Sequence, residues 1–280
     1  MTAPAPVNTP LIDRDAVLRN RARAMRLGPV DFLHRIAFDE VQFRLAEINR
    51  RFTDTAIISG FPEIWSGFFP RSRQLRDDEV LDLAPQSLDL VIHALALHEN
   101  NDPVGQMIQS ARALRPDGLF IGIALGGETL SALRDALRRA EAGLTGGLAP
   151  RLLPMAEIRD WGGLLNRAGL ALPVADQISQ QVSFRDLFHL GRELRAMGQG
   201  NALSARLRHF TRPSVMARAA QIMAHDAADP DDPRRIRTGF DLIFLTGWAP
   251  AENQQKPLRP GTAKMPLAEA LRQMQEKHEP

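Results

Sequence analysis

The chain contains no cysteine and no tyrosine. The first absence excludes disulfides, thiolate nucleophiles, iron–sulfur ligation and cysteine zinc sites. Lysine is nearly missing too: it occurs at Lys256, Lys264 and Lys277 alone, so almost all of the 35 basic groups are arginine. Arginine stays charged where lysine and tyrosine would titrate, which explains an isoelectric point near 9.6 on a formal net charge of only +2. That balance argues against nucleic acid as a partner, and Trp65, Trp161 and Trp248 are too scattered to form a base-stacking platform. No apolar run approaches the ~20 residues that cross a bilayer. Residues 1–10 have neither the basic start nor the apolar stretch of a signal peptide, so the expected location is the cytoplasm. The 7 histidines lack H-x-x-x-H spacing, no G-x-S-x-G or G-x-G-x-x-G occurs, and no metal site is expected.

What is present suits a globular protein: 280 residues, 44% hydrophobic and 24% charged, enough for one large core. From Asp13 to Arg51 apolar residues recur at helical spacing (Leu18, Met25, Phe32, Ile36, Phe43, Ile48) with a break at Gly28-Pro29, which predicts two helices. The arginines of the first, Arg14, Arg19, Arg21, Arg23 and Arg26, read as a solvated face, with phosphate contact as the sharper alternative. The period then changes. Residues 55–59 and 88–95 are buried-strand candidates and 118–125 a third, with a helix over 103–114 and a turn at Arg115-Pro116-Asp117-Gly118 in which glycine supplies positive φ. Strand, helix, strand at this spacing predicts a parallel crossover. Further helices are expected over 128–142, 155–168, 185–198 and 213–227, and strands within 170–184 and 240–248. The expected organisation is a disordered start over 1–12, one domain over 13–249 with a helical insertion at about 185–227, and a tail over 250–280 ending in a short helix, Leu267 to Lys277.

The run Ser87 to Ile92, then Leu95-Ala96-Leu97-His98, Asn101-Asp102-Pro103 and Leu114-Arg115-Pro116-Asp117-Gly118 resembles the fourth strand, following helix and fifth strand of class I S-adenosylmethionine-dependent methyltransferases. A narrower set, Asp13-Arg14-Asp15, Gly126-Gly127-Glu128-Thr129-Leu130, Gly146-Gly147 with Pro150 and Pro154, Arg167-Ala168-Gly169, Met197-Gly198 and Thr246-Gly247-Trp248, spans residues 13 to about 250. It resembles the methyltransferase-like assembly factors of respiratory complex I and the malonyl-carrier methyltransferases of the biotin pathway. The resemblance implies a three-layer Rossmann-like α/β fold, S-adenosylmethionine as cofactor, and work on a protein side chain, since the mitochondrial factor hydroxylates an arginine of a complex I subunit.

The cofactor loop departs from that pattern. Glycines after the first strand let the backbone close on the ligand, yet Ser59-Gly60-Phe61-Pro62-Glu63-Ile64-Trp65 has one glycine and a proline without an N–H. Only 16 residues separate Gly60 from Arg76, too few for the ~30 of a β-α-β unit, so a shortened sheet is expected. The resemblance makes Ser59, Gly60, Asp77 and Asp78 cofactor candidates, with Asp77 facing the adenine amine; a capping acid is the alternative for Asp77. His98, at the fourth strand's end where open α/β sheets place ligands, is the candidate catalytic group or a structural hydrogen bonder, and His93 a core histidine. Gly126 and Gly127 are candidate substrate contacts or a plain turn. Two functions stay open: a side-chain-modifying enzyme, or a pseudoenzyme that kept its surface to assemble a protein partner of respiratory NADH dehydrogenase.

Overall fold

The computed structural model describes residues 10–252 and 254. The chain divides into Met1–Pro250 and Ala251–Pro280, and the architecture below is that of the first unit. The expected tail helix, Leu267 to Lys277, and most of the expected disordered start lie outside the described residues.

Asp13 caps the first helix, α1 (Arg14–Leu27), by accepting from the Ala16 N–H, and Gly28, at φ 86°, ends it. Helix α2 (Phe32–Glu47) leads into β1 (Thr55–Ser59). A short helix, α3 (Pro62–Phe68), and a three-residue strand, β2 (Arg73–Leu75), fill the region expected to be truncated. Then come β3 (Leu88–Ala94), a 3-10 turn (Leu97–Glu99), α4 (Pro103–Ala113) and β4 (Leu114–Gly126). Helices α5 (Ser131–Thr145) and α6 (Ile158–Arg167) precede β5 (Ala171–Phe184), and α7 (Leu187–Ala196) and α8 (Pro213–Asp226) precede β6 (Ile236–Trp248).

The six strands form one sheet in the order β2-β1-β3-β4-β6-β5. The first four are parallel, and β6 runs antiparallel to both β4 and β5. This is the three-layer Rossmann-like architecture with a shortened sheet. Strand alternation divides the core: Ile57, Ile92 and Ile121 face α2, α3, α5 and α8, whereas Ile58, Val91 and Phe120 face α4 and α6.

Several local expectations are corrected. Phe43 is 61% exposed and Leu18 and Met25 are exposed too; the buried stripe of α1 is Ala16, Val17, Arg21 and Ala24, and that of α2 is Leu33, His34, Ala37 and Val41. In the 115–118 turn Asp117, not Gly118, takes the positive φ of 64°. Gly118 is required for closeness instead, since a Cβ there would lie 2.9 Å from the Arg115 carbonyl oxygen. Helix α5 starts at Ser131 rather than Glu128, because the Glu128 N–H is taken by Asp241 Oδ2 at 2.7 Å and Leu130 turns left-handed at φ 55°. Its first turn therefore holds no acid.

Candidate functional site

At the carboxyl ends of β1 and β3, where an open parallel sheet presents its cleft, the chain has placed its own arginine. Arg21 comes from the buried stripe of α1 and is 4% exposed. Its Nη1 donates to Asp77 Oδ1 at 2.6 Å and its Nη2 to Glu99 Oε2 at 2.7 Å. A second contact to each carboxylate, Nη2 to Asp77 Oδ2 at 3.1 Å and Nε to Glu99 Oε2 at 3.2 Å, fixes the guanidinium plane. Arg14, two helical turns earlier on the same face, adds Nη1 to Asp77 Oδ2 at 2.9 Å and Nη2 to the Asp77 carbonyl at 2.8 Å. Burial pushes the Asp77 carboxyl up, but Arg21 and Arg14 outweigh it and hold the pKa at about 2. Burial likewise lowers the Arg21 pKa, and Glu99 and Asp77 reverse this, so the net shift is upward.

Each sequence candidate now has a position. Gly60 is buried beneath Arg21: a Cβ there would stand 2.3 Å from the guanidinium carbon. Ser59 is buried, and its Oγ accepts from the Phe61 N–H at 3.1 Å. Asp77 is wrapped by two arginines, while Asp78 points outward, 64% exposed and 3.7 Å from Arg14. His98 is half-buried within the 3-10 turn, where its Nδ1 accepts from the Leu125 N–H at 3.3 Å. Burial lowers its pKa. Gly126 and Gly127 face the chain's own β6: a Cβ on Gly126 would lie 2.3 Å from Ile243 Cδ1, and one on Gly127 2.5 Å from Asp241 Oδ2. That glycine turn does hold a carboxylate, and the carboxylate is Asp241, which also accepts from Ser179 Oγ at 2.6 Å. The structure thus brings Gly60, Asp77 and Ser59 to one cleft and His98 beside it, and leaves Gly126 and Gly127 with β6.

The sequence reading of Arg21 as part of a solvated face is corrected, since it is buried and paired with two carboxylates, and Glu99 was passed over. The signal for Arg21 was its place in an i, i+4, i+7 stripe with Val17 and Ala24, where an apolar residue is expected. Its two carboxylate partners lie 56 and 78 residues away, so no local spacing reveals them.

The remaining space was tested against a nucleoside cofactor. The cavity touching His98, Phe61, His34 and Leu95 holds about 20 Å³ and the polar one on the outer side of Arg14 and Glu99, lined also by Glu79, Asn101 and Asp102, about 280 Å³, whereas pockets for drug-sized ligands start near 300 Å³. With the cradle over Gly60 filled by a guanidinium and Asp77 fully engaged, the residues present do not fit S-adenosylmethionine in this arrangement. The other histidines nearby are structural: His34 Nδ1 accepts from Trp65 Nε1–H at 3.0 Å, and His93 Nε2 pairs with Gln106 Oε1 at 3.2 Å. Among the described residues there is no cluster of metal-ligating side chains, and no helix is long and apolar enough to cross a membrane.

No family model matches the sequence. The chain is 36% identical over 193 residues to the mitochondrial arginine-hydroxylase NDUFAF5 of Dictyostelium discoideum, covering 69% of this chain and 44% of that protein. It is 32% identical to the malonyl-[acyl-carrier protein] O-methyltransferase of Laribacter hongkongensis, covering 66% and 59% of the two chains. A solved Bacillus halodurans protein, described as a candidate methyltransferase, overlaps 75% of this chain and 97% of its own with a TM-score of 0.46 at 12% identity. The chain spans about half the length of the curated relatives it matches, from 44% to 61% of the first three.

Proposed function

From its membership of the S-adenosylmethionine methyltransferase-like family, we propose that this chain acts as a protein assembly factor whose cofactor cleft is closed by its own α1 helix. The observation that carries this reading is the Arg21 guanidinium seated over Gly60 between Asp77 and Glu99. An arginine with both carboxylates satisfied leaves no group for an adenine amine and no room for a ribose. The partner is a protein, in keeping with the complex I role of the NDUFAF5 relatives, and the respiratory NADH dehydrogenase supplies the first subunits to test, met in the cytoplasm. The enzymatic reading, methyl transfer or hydroxylation at a protein side chain near His98, is favoured by the names of the relatives and requires α1 to leave the cleft.

Calorimetric titration with S-adenosylmethionine separates the two. The assembly reading expects no saturation up to about 1 mM, and a dissociation constant near 1 µM overturns it. Capture of respiratory subunits by the tagged protein from native lysate supplies the positive arm.

A further inference from the structure

A further cavity, larger than the space beside His98, adjoins the closed cleft and shares Leu125 and Gln199 with that space. It holds about 260 Å³ between α5, α7 and α8 at the carboxyl end of β4, and its walls include Leu125, Leu133, Leu137, Leu194, Met216 and Phe240. Apolar walls of this kind take apolar guests; about 150 Å³ of enclosed apolar space already accommodates benzene. Two arginines are the only charged residues on its lining. Arg151 gives Nη2 to Glu141 Oε1 at 2.6 Å and Nη1 to Thr211 Oγ1 at 2.5 Å, which leaves its buried Nε–H without a partner among the described residues. Arg195 is exposed, has no carboxylate partner among the described residues, and brings an uncompensated positive charge to the rim.

Gly191 lines the same space one helical turn before Arg195, and a Cβ built on it meets nothing within 4 Å. Glycine in a helix interior carries a conformational cost, and here its position leaves the cavity open.

We infer that this cavity is a binding site for a small amphiphile, an apolar chain with an anionic head, whose chain lies among the leucines and whose head meets Arg195. The geometry asks for that class because the walls are mostly apolar, with Thr129, Gln199 and Asn201 as their uncharged polar side chains, and the only net charge on the lining is positive. A carboxylate on a medium-length alkyl chain meets both demands.

The probe is decanoate, titrated calorimetrically into the 280-residue chain below its micelle concentration, beside decyltrimethylammonium with the same chain and the opposite charge. The expected result is saturable binding of decanoate and at least about tenfold weaker binding of the cation. Gly191→Leu fills the space from an open position, so it is expected to raise the melting temperature while weakening decanoate about tenfold or more. Arg195→Gln is expected to weaken decanoate and leave the cation unchanged. No decanoate binding, equal binding of both head groups, or unchanged affinity in a folded Gly191→Leu protein overturns the assignment.

Discussion

Arg21 concentrates the energetics of the cleft. Buried ion pairs gain little over an apolar replacement, yet removing one partner strands the other charge. Arg21→Met is therefore expected to cost about 3–5 kcal/mol, read as a lower urea midpoint at unchanged slope. Adding Glu99→Gln should recover part of the loss, because one unpaired carboxylate is gone; a single-variant cost below about 1 kcal/mol contradicts the burial described. The buried histidines set a separate pH response. Burial lowers the pKa of both His34 and His93 to about 4, while unfolded histidine titrates near 6.5. Between those values the unfolded chain binds more protons, so stability falls as pH drops from about 6.5 toward 4, by up to about 1.4 kcal/mol per unit for each. Asp77, depressed to about 2, acts in the next window down: its contribution is complete above about 4 and is lost toward 2. Urea midpoints at pH 7, 5.5 and 4.5 report the histidine step first.

Elements were legible where their period was strong. The breaks at Gly28 and Gly169, the strand at β1 and the helix–strand succession from β3 to β4 follow from apolar spacing and turn residues alone. Helix α3 was not, because its seven residues pack Trp65 and Phe68 against α2 through tertiary contacts that override a weak local pattern. The start of α5 was misplaced for a similar reason: Asp241, more than a hundred residues away, captures the amide that would have opened the helix. Glycines show how differently one residue type is used. Gly126→Ala drives a methyl into Ile243 and the Ala156 carbonyl and is expected to cost about 1–3 kcal/mol. Gly163→Ala, at an exposed position of α6 with nothing within 4 Å of the new Cβ, is expected to gain about 0.5–1 kcal/mol. Thermal melts of the two proteins should move in opposite directions.

At the scale of the whole molecule a shortened sheet was legible from chain length, since the stretch between Gly60 and Arg76 is too short for an ordinary β-α-β unit and holds a compressed one, the seven-residue α3 and the three-residue β2. What occupies the resulting space was not, because a solvated arginine face and a buried plug share the same local sequence. The helix that carries the plug is also fastened at its other end. Ile12 bridges Leu203, the Asp13 N–H donates to the Ala202 carbonyl at 2.8 Å, Asp13 pairs with Arg206 at 2.8 Å, and Asn20 reaches the Gly200 carbonyl at 2.9 Å. Withdrawing Arg21 thus means unzipping a seam that runs to the segment after α7, a sub-global event and not a side-chain rotation. Any visitor to Gly60 would wait for that event, and its arrival rate would level off with rising concentration instead of growing in proportion.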